Sequence, residues 1–192
     1  MDLTALYIDV PCAVFQDSGN EEDDQTYFVP SPLTVYELLL SFVGETDVMK
    51  HCGVKLAISM ISRPQRSPFM EDQEIFTDIR FVVWVDSALE EVEPNLENRI
   101  YQAKRNPSEV RRFGCLCLGD RDNLVNSLKF ATEKHISDCK GWLVQDPKGR
   151  ITLPFWVDST SLIDKLLRYS LKEVSLDCPS DSSWTIIQPD FP

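Results

Sequence analysis

Residues 27–44 read YFVPSPLTVYELLLSFVG, and their spacing predicts one tightly punctuated helix. Ser31 suits an N-cap, Pro32 suits the first turn, where its missing N–H is not needed, and Gly44 supplies a left-handed stop. Between them Leu33, Val35, Tyr36, Leu38, Leu39, Leu40, Phe42 and Val43 are apolar, while Thr34, Glu37 and Ser41 leave one narrow polar stripe. A helix so apolar must be covered on most of its circumference. It is expected to be a core element with strands packed around it.

Working outward, Leu6, Ile8 and Val10 alternate with Ala5, Tyr7 and Asp9 as a first strand that Pro11 ends or places on an edge. Residues 15–25 form a polar, acidic loop. After the helix, Val54, Leu56, Ile58 and Met60 mark a second strand. Residues 62–75, SRPQRSPFMEDQEI, hold two prolines and two arginines and read as an excursion from a sheet, a long hairpin or finger. Ile79, Phe81, Val83 and Val85 then alternate with Arg80, Val82 and Trp84 as a third strand. Pro94 opens a helix on which Leu96, Ile100 and Ala103 share a face, and Pro107 stops it. A fourth strand is expected at 112–118, RFGCLCL, with Cys115 and Cys117 on one face.

This β-α-β-β-α-β order is the ferredoxin-like pattern, in which two helices cover one face of a four-stranded antiparallel sheet. Residues 123–135 are expected to add a helix. Strands at 142–145 and 150–157 flank Asp146-Pro147-Lys148-Gly149, a good type I turn, and read as a hairpin. A helix over 159–172 follows, with Leu162, Leu166 and Tyr169 on one face, and then an irregular tail over 177–192. The expected class is therefore α+β. A ferredoxin-like core spans 1–140, including the finger at about 62–76, and a C-terminal hairpin-plus-helix extension spans 141–192.

The 192 residues carry 31 acids and 19 bases, a formal net charge of -12, which argues against indiscriminate coating of nucleic acid. The charge is segregated, however. Residues 71–97 hold nine acids against Arg80 alone, whereas 99–112 hold Arg99, Lys104, Arg105, Arg111 and Arg112 against Glu109 alone. Nucleic acid, if bound, is bound locally. No apolar run approaches bilayer-spanning length, so no membrane partner is expected. The N-terminus lacks the basic region of a signal peptide, and the expected location is the cytoplasm.

Six cysteines show neither C-x-x-C pairs nor the density of a secreted scaffold, and Cys115 and Cys117 read as small buried hydrophobes in a reducing compartment. No metal site and no cofactor motif is expected: phosphate-binding loops, nucleophile elbows and zinc signatures are absent from the sequence. The two histidines, His51 and His135, read as solvated or capping residues. Two features stand out. One is the basic run at 99–112. The other is the finger, where Arg63, Arg66, two prolines and Phe69 could grip a phosphate backbone and wedge against a base.

The segments ALYIDVPCAVF, YFVPSPLTVYELLLSFVG, KLAISMISRP and GRITLPFWVD together resemble the Cas five family of CRISPR-associated proteins, with the nearest likeness to the type I-B, Myxococcus-like subtype also found in some CRISPR-associated transposons. The likeness runs in order from Ala5 to about Leu171. It implies a prokaryotic, cytoplasmic subunit of the type I Cascade complex with a ferredoxin-like (RRM-like) core and a β-hairpin thumb. Such a subunit holds the 5′ handle of the CRISPR RNA, caps the filament of backbone subunits and contacts the large subunit that reads the PAM on target DNA, in defence or beside transposition proteins. The thumb maps onto 62–75 and displaces a base near the handle–spacer junction.

In one subtype the family member cuts precursor RNA with a Tyr, Lys and His constellation. Neither His51 nor His135 has a recognisable counterpart, so no catalytic residue is expected, and a handle-processing ribonuclease is the alternative reading. Gln16 and Glu37 stand where relatives carry Arg and Gly, and the loop at 19–24 is acidic, which shifts RNA contact elsewhere. The expected RNA-binding set is Arg63, Arg66, Lys104, Arg105, Arg111 and Arg112 on phosphates, with Phe69 or Tyr27 on bases.

Overall fold

In the computed structural model, which describes residues 3–15, 29–70, 73–112, 114–158, 163–174 and 177–189, the first helix is α1 (Pro32–Val43). Its punctuation is as the sequence predicts. Ser31 Oγ accepts from the Thr34 N–H at 3.0 Å, and Gly44, at φ 69°, donates its N–H to the carbonyls of Leu40 and Ser41. Eight of its residues, including Val35, Tyr36, Leu38, Leu39 and Phe42, are buried, while Glu37 is exposed. Each fully buried side chain of this size is worth about 1.5–3 kcal/mol, so α1 is a main source of stability.

The strands are β1 (Thr4–Phe15), β2 (Lys55–Met60), β3 (Gln65–Met70), β4 (Gln73–Asp86), β5 (Ser127–Phe130), β6 (Gly141–Gln145), β7 (Ile151–Asp158), β8 (Ile163–Lys172) and β9 (Thr185–Ile186). Among the described residues they form a nine-stranded sheet in the order β5-β1-β4-β2-β6-β8-β7, with β3 on β4 and β9 on β2. The pairings are antiparallel. Helix α2 (Leu96–Arg105) is capped by the Asn95 side chain and buries Leu96, Ile100 and Ala103; a short α3 (Glu133–Ser137) follows β5.

Leu6, Ile8 and Val10 of β1, Leu56 and Ile58 of β2, and Ile79, Phe81, Val83 and Val85 of β4 pack with α1 and α2 into one core. At the end of the sheet β7 also lies against α1, and Leu143, Phe155, Trp156 and Tyr169 join the same core. The sheet thus curls around α1, which is why that helix is apolar on nearly every side. The second face is not bare either. Trp84 and Trp142 meet there with ring centroids 4.6 Å apart, among Ala57, Val82, Cys139 and Val144.

The mixed α and β character and the helices at 32–43 and 96–105 agree with the sequence reading, and the finger is a β3–β4 hairpin. Four expectations are corrected. Residues 112–118 are not a strand: apart from 113, which lies outside the described residues, they are irregular, and Cys117 makes one isolated bridge to Leu124. Residues 123–135 are not one helix, because 127–130 pair with β1 at its open edge and only the short α3 turns helical. The turn at 146–149 closes, with the Gly149 N–H on the Asp146 carbonyl at 2.8 Å, yet β6 and β7 do not pair with each other. The described part of the expected 159–172 helix is instead β8, which lies between them and bonds both. The tail is also more ordered than expected, since β9 extends the edge of β2.

Cys115 is exposed and Cys117 half-buried, so the expectation that this pair is buried does not hold; Cys139 is buried. No helix among the described residues is long and apolar enough to cross a membrane.

Candidate nucleic-acid interface

The C-terminal end of α1 organises a groove. A Cβ on Gly44 would stand 2.6 Å from the Arg111 carbonyl oxygen, so glycine there lets the chain after α2 pass against the helix end. Arg112 is thereby laid along Phe42. Its Nε donates to the Phe42 carbonyl at 2.8 Å and its guanidinium carbon lies 4.7 Å from the Phe42 ring centroid. A cation at this end also matches the negative pole of the helix.

Between this corner, the last turn of α2 and β5 lies a groove of about 270 Å³. Phe42, Leu116 and Leu128 supply apolar wall, and Lys104, Arg112 and Asn126 supply polar atoms. Lys104 is exposed and its ammonium reaches the Leu128 carbonyl at 3.5 Å, a long contact that leaves it close to solvent. Arg105 and Arg111, the neighbours of these two cations in sequence, are exposed. An apolar floor beside one anchored and several exposed cations is chemistry that suits a base and its phosphates.

Arg63 and Arg66 form a separate group at the base of the hairpin, both exposed. Arg63 is ion-paired with Glu173 after β8, in a pair so open to water that it contributes little stability. The Phe69 side chain and all of Tyr27 lie outside the described residues.

Arg99, the first base of the run, belongs elsewhere. Its Nη1 contacts Glu45 and lies 3.1 Å from His51 Nε2, and its Nη2 donates to the Val43 carbonyl at 3.1 Å. Because guanidinium only donates, His51 Nε2 must accept, so Nδ1 carries the proton and donates to Glu90 at 2.6 Å. Glu90 in turn accepts from the Leu96 N–H at the start of α2 at 3.0 Å. Burial would raise the Glu45 carboxyl, but hydrogen bonds from Lys50, Arg99 and the N–H groups of Asp47 and Thr46 hold it down at about 2. His51 is fully buried, not solvated, and locks two loops together. Nothing in the sequence spacing signals this network, because its members are scattered from 45 to 99.

His135 does act as a cap. Its Nδ1 accepts from the Thr132 N–H at 3.0 Å, while its ring stacks on Tyr7 with centroids 4.2 Å apart. Burial and the neighbouring Lys129 push its pKa below the ordinary value. Neither histidine lines the groove. Among the described residues no cluster of three or more His, Cys, Asp or Glu could hold a metal ion.

No family model matches the chain. A curated CRISPR-associated protein Cas5 of Myxococcus xanthus is 30% identical over 179 residues, spanning 81% of this chain and 83% of that protein. Among solved structures, a Cas protein superposes with a TM-score of 0.52 at 12% identity over 91% of this chain and 95% of its own, a likeness of fold. A functionally uncharacterized protein of Streptococcus mutans gives 0.47 at 11% identity over 80% and 76%. The identity to the Myxococcus protein, sustained over four-fifths of both chains, shows that this chain belongs to the Cas5 family of CRISPR-associated proteins.

Proposed function

We propose that the chain is a non-catalytic subunit of a type I Cascade complex that binds the 5′ handle of CRISPR RNA. It caps the filament of backbone subunits beside the large PAM-reading subunit, in defence or in guided transposition. The antiparallel run β5-β1-β4-β2, with α1 and α2 on one face, is the core of a ferredoxin-like subunit of this kind. The observation that carries the reading is the groove at the end of α1, where Lys104 and Arg112 flank apolar wall and Arg105 and Arg111 lie beside them in the chain. On an otherwise acidic protein, this gives one local track for a phosphate backbone.

The β3–β4 hairpin, with Arg63 and Arg66 at its base, serves as the thumb. Both histidines are committed to packing and capping partners, which supports a binding role over cleavage. The test is co-expression with CRISPR RNA and the backbone subunit. The wild-type chain should co-purify with RNA of uniform, protected 5′ end, and the Lys104→Glu/Arg105→Glu/Arg111→Glu triple variant should lose that protection while staying folded. Specific cleavage of repeat RNA by the purified chain without metal would replace this reading with the ribonuclease.

A further inference from the structure

The hairpin leaves the core at a built joint. β4 serves two partners on the same side, β2 from Asp86 to Phe81 and β3 from Thr77 down to Gln73. Lys55 faces Asp86 and Met60 faces Phe81, whereas Gln65 faces Thr77 and Arg66 faces Phe76, so the register advances by one residue between the two. On the other side β1 pairs continuously with β4 except where Pro11 and Asp78 would meet. Asp78 sits at φ 60°, the left-handed region, and among the described residues it is the only non-glycine there.

The joint is held by hydrogen bonds. Ser62, buried, gives its hydroxyl proton to the Asp78 carbonyl and accepts from the Arg80 N–H at 2.8 Å. The N–H groups of Ile61 and Ser62 both donate to the Arg80 carbonyl, at 2.8 and 3.2 Å. The Arg80 Nη2 donates to the Asp78 carboxylate at 3.0 Å, and its Nε stands 2.8 Å from the other carboxylate oxygen as an ion-pair contact.

Crossing this joint reverses the faces of both long strands. On β1 the core-facing residues are Leu6, Ile8 and Val10 and then Ala13; on β4 they are Val85, Val83, Phe81 and Ile79 and then Phe76. Even becomes odd on one strand and odd becomes even on the other. Arg66 stands directly opposite Phe76, and opposed residues of an antiparallel pair share a face. The joint therefore turns Arg66 towards the side of the sheet that carries α1, α2 and the groove.

We propose that Ser62, Asp78 and Arg80 form a fixed elbow that sets the register and facing of the hairpin, and that they are positioning residues for its engagement of RNA. The proposal rests on the RNA-binding reading given above. Because side chains alternate with period two, a one-residue slip at the elbow would carry Arg66 to the opposite face.

Two measurements test it separately. In the free chain, cross-strand proton NOEs read the pairing directly. Wild type and Asp78→Asn, which tolerates the left-handed region, should show Arg66 opposite Phe76. Asp78→Val and the milder Ser62→Ala should lose or shift that contact while the β1–β4 contacts from Thr4 to Val10 persist. Unchanged Arg66–Phe76 contacts in both would overturn the elbow.

In the assembled complex, 2-aminopurine at the handle–spacer junction reports base displacement. Wild type and Asp78→Asn should be bright, and Ser62→Ala at least threefold dimmer, with RNA affinity within about threefold of wild type. Brightness retained in a register-shifted variant would overturn the positioning role. A wild-type complex without RNA would sink the RNA-binding reading instead, leaving the NOE result to decide the elbow.

Discussion

Arg99 and Arg111 come from one basic run of sequence but occupy opposite environments. Arg99 is pinned between Glu45, His51 and the Val43 carbonyl, while Arg111 lies exposed where the chain passes the end of α1. Arg112 is intermediate, half-buried and spread along Phe42. A charge run read as one patch is therefore two things: a structural clamp at its start and a candidate RNA track from Lys104 onward. Charge count alone does not separate them; burial and the partners of each guanidinium do.

The largest effect should come from Arg99→Ala. It leaves the buried Glu90–His51 pair and Glu45 without their shared donor, and urea unfolding should show a loss of about 2–4 kcal/mol. A wild-type-like midpoint would erase the distinction between the two ends of the run.

The same clamp makes stability depend on acid. Glu45 is held at about 2 in the folded chain against an ordinary 4.5, so its contribution is fully present above about pH 4.5 and fades as the pH falls towards 2. Its share should be about 1–2 kcal/mol after solvent screening. Glu45→Gln should flatten that part of the stability-against-pH curve; an unaltered acid limb would show that Glu45 is not responsible.

Arg112→Ala removes one hydrogen bond and one cation–π contact, and a thermal melt should register about 1–1.5 kcal/mol. Arg112→Lys should recover part of it. Smallest in stability are Lys104→Ala, Arg105→Ala and Arg111→Ala, each within about 0.5 kcal/mol of wild type. Their effect should appear in RNA titrations, where each lost phosphate contact lowers the salt slope by about 0.7. A slope untouched by all three would move the RNA track elsewhere.

Where local chemistry decides the structure, it was legible from the chain. Ser31, Pro32 and Gly44 bound α1, and the spacing of Leu96, Ile100 and Ala103 defines the buried face of α2. It failed where neighbours decide. Leu162, Leu166 and Tyr169 suggest a helical face, yet Leu166 on β8 is 55% exposed and Tyr169 is buried, the alternation of a strand bonded on both sides. Gly149 carries a trace of this: its Cβ would fall 2.1 Å from the Tyr169 carbonyl oxygen, so the bend is shaped for β8 to pass, not for a simple hairpin. At the candidate site the cations were identifiable by type, but the pairing of Arg112 with Phe42 depends on a close approach at Gly44 that no spacing rule encodes.

The insertion of β8 between β6 and β7 also orders events during translation. Until the codons for 163–172 have been read, β6 and β7 each lack their shared neighbour, and the flank of α1 that β7 covers has no settled lid. The nascent polypeptide therefore carries one flank of its most apolar helix uncovered until late in its emergence from the ribosome, although β1, β2, β4 and α2 are already made. Slow elongation late in the message would prolong that vulnerability, and holdase chaperones would matter most in that interval.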